Sequence, residues 1–434
     1  MPDKDRGMAL PRKVEIGDIT VRDGLQVLEH YFPVREKLQL LEDLILAGFK
    51  HVEVSNFGHP KYLPQFKDVE ELLTRLLNSE RVGSRLKQNG GDVTICTITI
   101  NEKAVQRALD YKAKHGTGPD YLLQMVSTDE AHHKVNSGMS LGDYWEMTER
   151  CTKMAHEAGM KMCGTVSTIW GSPIEGNRIT DLNKAVEFSK TYLDLGADYI
   201  EQADHDGSAD PARVYQYFRM ILDKSIMGKW ADPKYHLAHF HTSRGMGMAN
   251  YLAALLAGMN RFETTLSSTG GQPANIIDGT FIGGTGRYYH FEHLFSGLVS
   301  TEDFVVMCEA MGIDTGINIP RLLELGRLFR DDFLRLKPQD KKILLENVAR
   351  STQLSLGKIK SLEESDDSLS SLVDEATKKV SAFSDEPVER IYGNMQGLLS
   401  GLAKYLKWRA WAPSRSETLL SGVPPSPNLK DLIE

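Results

Sequence analysis

Two histidines separated by one residue, His239 and His241, are the strongest chemical signal in the sequence. In an extended segment, residues two apart project to the same side. Two imidazoles on one side of a strand end can bind one metal ion, and a carboxylate such as Asp23 would complete the set. The remaining coordination positions of such an ion would accept substrate oxygens, and the ion would act as a Lewis acid. The alternative is two ordinary histidines, one packed and one exposed.

Polar residues at the ends of other short apolar runs are further candidates. The Arg22 guanidinium can bind a carboxylate or an enolate through its planar fork, or form a surface ion pair with Asp23. Glu53 lies inside an apolar run, where a carboxylate is costly unless it is paired, and a salt bridge to Arg22 would provide that pairing. Asp204 is either a catalytic acid or base or a structural helix cap.

The segment that follows the last of these runs contains a glycine pair, Gly270 and Gly271, ahead of Gln272. Two adjacent glycines permit a tight, mobile loop. We therefore take both glycines, together with Asn56 at the end of the second run, as substrate-binding candidates.

The elements that must position these residues alternate regularly along the chain. Eight short runs rich in valine, isoleucine, threonine and aromatic residues predict buried strands at 14–20, 50–56, 93–100, 120–127, 161–168, 197–204, 235–241 and 261–268. Amphipathic stretches between them, such as 34–49, 184–198 and 250–260, predict helices that end at glycines. This arithmetic predicts an α/β fold of the (β/α)8 TIM-barrel class, with active-site residues at the carboxyl ends of the strands. A doubly wound open sheet also fits the alternation, but no GxGxxG follows the first run.

The character of the sequence changes near residue 335. We predict a TIM-barrel catalytic domain over 10–335 and a helical C-terminal extension over 336–434 that ends in a Pro/Ser-rich tail. The extension would cap the barrel or form a dimer contact; a membrane-surface or lid role is the alternative.

Composition excludes several classes of protein. Of 434 residues, 41% are hydrophobic and 25% charged, which is ordinary for a globular chain and excludes collagen-like or wholly disordered proteins. The net charge of −8 argues against broad nucleic-acid binding. The four cysteines form no CxxC pair, which argues against a thiolate zinc site. Without a membrane-spanning run or a secretory signal, a cytoplasmic location is the default expectation.

Six segments in order resemble the 3-hydroxy-3-methylglutaryl-CoA lyase group of metal-dependent TIM-barrel enzymes, over roughly residues 14–335. They are TVRDGLQ, VEVSNFGHPKYLPQFKD, STDEAHHKVNSGMS, GTVSTIWGSPIEG, HFHTSRGMGMAN and GLVSTEDFVVMCEAMGIDTGINIPRLLELG. The resemblance implies a divalent ion, Mg²⁺ or Mn²⁺, bound by Asp23, His239 and His241. It also implies an acyl-CoA substrate and a homodimer.

Roles for other residues follow from the same resemblance. It implies that Arg22 and Gln26 contact the substrate, that Glu53 is a supporting acid and that Asp204 is a catalytic acid or base.

The chain departs from the family at two positions. Gln272 stands where the family has its catalytic cysteine, and an amide cannot exchange a proton near neutral pH as a thiol can. Leu298 stands where the family has an asparagine metal ligand. The intervening insertion offers possible replacements for the missing donor or ligand, or is only a longer loop: Asp278, Arg287, Tyr288, Tyr289, His290 and His293.

The expected activity is metal-assisted retro-Claisen or retro-aldol cleavage of a 3-hydroxy acyl compound, with a CoA thioester as the expected form. Asp204 would remove the hydroxyl proton, and Arg22 would stabilise oxyanion charge. The group that protonates the enolate is left open, because Gln272 occupies the position of the family's catalytic cysteine. The alternatives are a condensing synthase, a pyruvate aldolase, and a non-catalytic acyl-CoA-binding protein.

Overall fold

Within the part of the chain that the structure describes, one compact unit ends at Leu325 and a second begins at Gly326. The structure is a computed structural model. It describes residues 10–26, 28, 31–60, 63–172, 181–205, 207–271, 276–277, 280–281, 297–330, 338–363, 368–384 and 387–411. The division falls ahead of the boundary near 335 that composition suggested.

Eight parallel strands close into a barrel in sequential order, from β1 next to β2 through to β8 next to β1. The strands are β1 Glu15–Asp18, β2 His51–Asn56, β3 Thr94–Ile98, β4 Tyr121–Ser127, β5 Lys161–Ser167, β6 Tyr199–Asp204, β7 His236–Phe240 and β8 Arg261–Thr264. Two short antiparallel strands, β9 Ile276–Ile277 and β10 Thr280–Phe281, pair separately. The predicted TIM-barrel fold is confirmed.

Helices alternate with the barrel strands. They are α1 Val34–Ala47, α2 Val69–Leu77, α3 Glu102–His115, α4 Glu130–Ser137, α5 Leu141–Glu157, α6 Leu182–Asp194, α7 Pro211–Ile221, α8 Lys224–Met227, α9 Gly247–Ala257, α10 Thr301–Ala310 and α11 Ile319–Leu328. Side chains of Asn101, Asp181 and Asp210 accept backbone N–H groups at the starts of α3, α6 and α7. These caps satisfy amide groups that lack a partner inside the helix.

One predicted strand differs locally, and one short helix was not among the predicted elements. Within the predicted run 14–20 the strand ends at Asp18, and Thr20–Gly24 forms a π-helical turn. The segment after β4 contains α4, and Asp129 caps this helix by accepting from the amides of Ala131 and His132.

The second unit is helical, with α12 Pro338–Thr352, α13 Leu356–Lys360, α14 Leu369–Ser381 and α15 Val388–Trp411. It has its own apolar core, in which Ile359, Leu372 and Leu399 are buried. The Pro/Ser-rich tail predicted at the end lies outside the described residues. Among the helices that the structure describes, none is long and apolar enough to cross a membrane.

Gly48 ends α1 and gives a testable prediction about stability. Its φ is +116°, and a Cβ there would lie 2.6 Å from the carbonyl oxygen of Gly316. Gly116, which ends α3 at a φ of +72°, has nothing within 4 Å of such a Cβ. We expect Gly48→Ala to lower the free energy of unfolding by about 3 kcal/mol, from backbone strain plus the clash. The matched Gly116→Ala should cost about 1 kcal/mol from strain alone. Urea titrations followed by circular dichroism measure both, and equal losses would contradict the proposed clash.

Candidate active site at the carboxyl end of the barrel

Asp23, His239 and His241 meet at the carboxyl end of the barrel. Asp23 is placed by the π-helical turn after β1, and the two histidines by the end of β7. All three are buried, and one ligand atom of each lies within 4.8 Å of the others. His241 Nε2 is 3.9 Å from Asp23 Oδ1. The sequence-based hypothesis that these three side chains converge is thus matched by their positions.

The unpaired atoms of this cluster fit a divalent cation. His239 Nδ1 donates to Glu263 Oε2 at 3.0 Å and lies 3.2 Å from Glu201 Oε1, which leaves the lone pair on Nε2. That Nε2 and Asp23 Oδ1 are buried and have no hydrogen-bond partner within the described part of the chain. Buried polar atoms without partners are costly. A histidine oriented by a carboxylate is the usual arrangement of a metal ligand.

Arg22 lies beside this cluster, buried between two carboxylates. Its Nη1 donates to Asp23 Oδ2 at 2.6 Å, and its Nε donates to Glu53 Oε2. Burial alone would lower the pKa of Arg22, but Glu53 and Asp23 raise it above its ordinary value. Burial raises the pKa of Glu53, and Arg22 opposes that rise. The salt bridge that the sequence suggested is present, and it fixes a permanent positive charge next to Asp23.

The loop after β8 packs directly on Asp23. Gln26 Nε2 donates to Asp23 Oδ2 at 2.9 Å and to the carbonyl oxygen of Gly271 at 2.7 Å. A Cβ on Gly270 would lie 2.4 Å from Asp23 Oδ1, and the φ of Gly270 is +123°. A residue with a side chain would therefore displace the Asp23 carboxylate, which explains the glycine at this position.

Two other candidates hold loops at the same end of the barrel. Asn56 Oδ1 accepts from the amide of Gly58 at 2.6 Å. The carboxylate oxygens of Asp204 accept from the amides of Ser208 and Ala209 at 3.1 and 3.0 Å. Asp204 therefore shapes the loop that leads into α7, the structural role considered beside the catalytic one.

Three buried groups inside the barrel received no role in the sequence analysis: Glu201, Glu263 and His51. Ligand atoms of Glu53, Glu201 and Glu263 lie within 4.8 Å of one another, and His51 Nε2 is 3.4 Å from Glu263 Oε1. Each acid lies in a predicted strand. A carboxylate inside an apolar run is the signal that identified Glu53, and the same signal would have identified Glu201 and Glu263.

Their charges are coupled to His239. Burial raises the pKa of Glu201 to about 8, helped by Glu263. Burial would also raise the pKa of Glu263, but hydrogen bonds from His239 and His51 lower it to about 2. Burial would lower the pKa of His239, but Glu201 and Glu263 raise it to about 9. These acids therefore favour the protonated form of His239, and a cation bound at Nε2 would take the place of that proton.

A third imidazole, His205, lies one residue beyond β6 and is buried. Its ring centroid is 5.6 Å from that of His239 and 6.0 Å from that of His241. Burial lowers its pKa well below the ordinary value, and the neighbouring His239 and His241 lower it further.

The positions that depart from the family pattern are only partly described. Leu298 pairs through its backbone with His241 and is fully buried, and its side chain has no ligand atom. Gln272 and the insertion candidates Asp278, Arg287, Tyr288, Tyr289, His290 and His293 lie outside the described residues.

Comparisons with known proteins agree on one family. The model of the HMGL-like family matches residues 13–329. The hydroxymethylglutaryl-CoA lyase of Bacillus subtilis is 25% identical over 74% of this chain and 93% of its own length. The mitochondrial hydroxymethylglutaryl-CoA lyase of Bos taurus is 28% identical over 73% of this chain and 84% of its own.

A solved structure extends these comparisons. It is an HMG-CoA lyase from Acinetobacter baumannii in complex with coenzyme A and 3-methylmalate. It superposes with a TM-score of 0.60 at 27% identity and covers 73% of this chain and 90% of its own.

Proposed function

The chain belongs to the HMGL-like family, and on that premise we propose that it cleaves a carbon–carbon bond in a 3-hydroxy acyl-CoA of the hydroxymethylglutaryl-CoA type. The predicted resemblance to HMG-CoA lyases is confirmed by the family match and by relatives that carry that name. The predicted enzyme class, a carbon–carbon lyase, is confirmed on the same grounds.

One observation carries the proposal: the buried cluster of Asp23, His239 and His241 beside the charged Arg22. Two of its ligand atoms are unpaired within the described residues, and Glu263 orients His239. These donors would hold Mg²⁺ or Mn²⁺. When bound, such an ion lowers the pKa of a substrate hydroxyl and orients the adjacent carbon–carbon bond.

The chain's own residues would perform the remaining chemistry. A base removes the hydroxyl proton, and Asp204 stays the proposed base at the end of β6. The hydroxyl-bearing carbon, C3, becomes a carbonyl carbon as its bond to C2, the carbon next to the thioester, breaks. The electron pair of the broken bond stays with C2, and the thioester fragment leaves as an enolate. The Arg22 guanidinium stabilises the oxygen charge that develops. A proton donor then returns a proton to that carbon, and we place this donor in the segment that contains Gln272.

Coenzyme A as the carrier is supported by the ligands of the Acinetobacter structure, which holds coenzyme A and 3-methylmalate. A malate derivative has a hydroxyl and a carboxylate on adjacent carbons, so it presents two oxygens to one ion. Our proposed substrate shares a hydroxyl near a carbonyl oxygen. Substrate contacts by Gln26, Asn56, Gly270 and Gly271 belong to this proposal. A homodimer and a cytoplasmic location stay predictions.

A panel of acyl-CoA compounds tests the substrate class. Purified protein with Mn²⁺ is incubated with 3-hydroxy-3-methylglutaryl-CoA, with a longer branched 3-hydroxyglutaryl-CoA, and with butyryl-CoA, which lacks the hydroxyl. We expect acetyl-CoA from the hydroxylated compounds only, detected by mass spectrometry. A parallel assay supplies acetyl-CoA with a keto acid. Condensation without any cleavage would contradict the lyase proposal and favour the synthase.

A further inference from the structure

We infer that His205 is a fourth protein ligand of the cation, and that it makes the site selective for a nitrogen-preferring transition ion over Mg²⁺. The inference rests on the proposed function and specifies which kind of cation the site prefers. It stands on the position and pairing of one imidazole that neither the family resemblance nor the HxH pattern singles out.

The first observation is an unpaired buried nitrogen. His205 is only 7% exposed, and its Nδ1 has no hydrogen-bond partner in the part of the chain that the structure describes. The same holds for His239 Nε2 and Asp23 Oδ1. Three buried donor atoms without partners at one end of the barrel are costly unless a bound charge or a hydrogen bond compensates them.

The second observation is the spacing of the rings. An imidazole nitrogen binds a divalent ion at about 2.1 Å, which places its ring centroid about 3.3 Å from the ion. Two rings on one ion therefore have centroids at most about 6.5 Å apart. The centroids of His205, His239 and His241 are separated by 5.3, 5.6 and 6.0 Å, so each pair meets this condition.

The third observation is the local arrangement of donor atoms. Ligand atoms of His205, His239 and Glu201 lie within 4.8 Å of one another. The Nδ1 of His239 donates to Glu263, and Glu201 lies on that same side at 3.2 Å. His239 is common to this set and to the set of Asp23, His239 and His241. We therefore assign His205 to the ion on His239, and Glu201 to the hydrogen-bonding shell behind that ring.

The donor set decides which ion is preferred. Mg²⁺ prefers oxygen ligands, whereas imidazoles suit iron, cobalt, nickel and zinc. Asp23 with two histidines is a mixed set, and a third imidazole moves it towards nitrogen. Four protein ligands also leave two positions of a six-coordinate ion, which is enough for two substrate oxygens.

Titration calorimetry of the full chain, stripped of metal with a chelator, tests the inference. Co²⁺ and Mg²⁺ are titrated separately into the wild type, His205→Ala, and the control His156→Ala, which removes an exposed imidazole. We expect His205→Ala to lower Co²⁺ affinity about 10–100-fold with a change in Mg²⁺ affinity below about threefold. Equal Co²⁺ affinity in His205→Ala and His156→Ala would overturn the inference.

A spectroscopic readout on the wild type covers the case in which His205→Ala does not fold. Electron paramagnetic resonance of the Cu²⁺-loaded protein counts the coordinated nitrogens. Three support the inference, and two overturn it while leaving the proposed function intact. If the wild type binds none of these ions, the proposed function fails with it.

Discussion

Replacing Asp23 with asparagine is expected to lower kcat/KM for cleavage by about 10³-fold, which corresponds to about 4 kcal/mol of transition-state stabilisation. Asp23 Oδ1 lies 3.9 Å from His241 Nε2 and has no hydrogen-bond partner within the described residues. An amide keeps the shape of the side chain but removes the negative charge that attracts the ion. Steady-state kinetics at saturating Mn²⁺, with metal content measured by plasma emission spectrometry, check the result.

Asp120→Asn is the matched control for this variant. Asp120 is also a buried acid, but it precedes β4 at the opposite end of the barrel and accepts from the amide of Ile95. We expect this variant to retain activity within about threefold, since it lies far from the chemistry. An Asp23→Asn protein with unchanged activity and metal content would refute the assigned ligand set.

The second large effect concerns Arg22. We expect its replacement with lysine to lower kcat about 10²-fold. Lysine keeps the positive charge but cannot donate to Glu53 and Asp23 through a planar fork. The loss should appear in kcat more than in KM, because the guanidinium acts on charge that develops during cleavage.

Arg261→Lys is the control for this effect. Arg261 is a largely buried arginine at the start of β8, where it donates to the carbonyl oxygen of Lys234 and to Glu15. It lies at the opposite end of the strands, so its replacement should leave kcat within about twofold. Equal losses in both variants would mean that Arg22→Lys acts through stability alone.

Much of the barrel was predictable because its strands are buried on both faces and read as short apolar runs. All eight predicted runs contain the observed strands. The ends of the runs were less predictable. The residues after Asp18 continue the apolar pattern, yet Thr20–Gly24 turn away as a π-helix, and this turn places both Arg22 and Asp23.

The site was predictable where chemistry and strand position coincide. The HxH pair and Asp23 converge because the carboxyl ends of parallel strands share one end of a barrel. The close approach of Gly270 to Asp23 and the bridge from Gln26 to Gly271 depend on loops packed across the barrel end. Local sequence does not encode such contacts between residues about 250 positions apart.

The acids inside the barrel show a different limit. Glu201 and Glu263 lie on β6 and β8, and the pairing of both strands with β7 brings them to His239. Their role of orienting an imidazole follows from distances, which the sequence does not contain.

An ion bound at Asp23 and His239 is proposed to drive carbon–carbon cleavage. The most direct measurement is a titration of Mn²⁺ into chelator-stripped protein with 3-hydroxy-3-methylglutaryl-CoA, in which acetyl-CoA formation is followed by mass spectrometry. We expect no product before metal is added, and a rate that rises with bound Mn²⁺ and saturates near one ion per chain. Cleavage at full rate in the stripped protein, or bound metal with no cleavage of any 3-hydroxy acyl-CoA, would contradict the account.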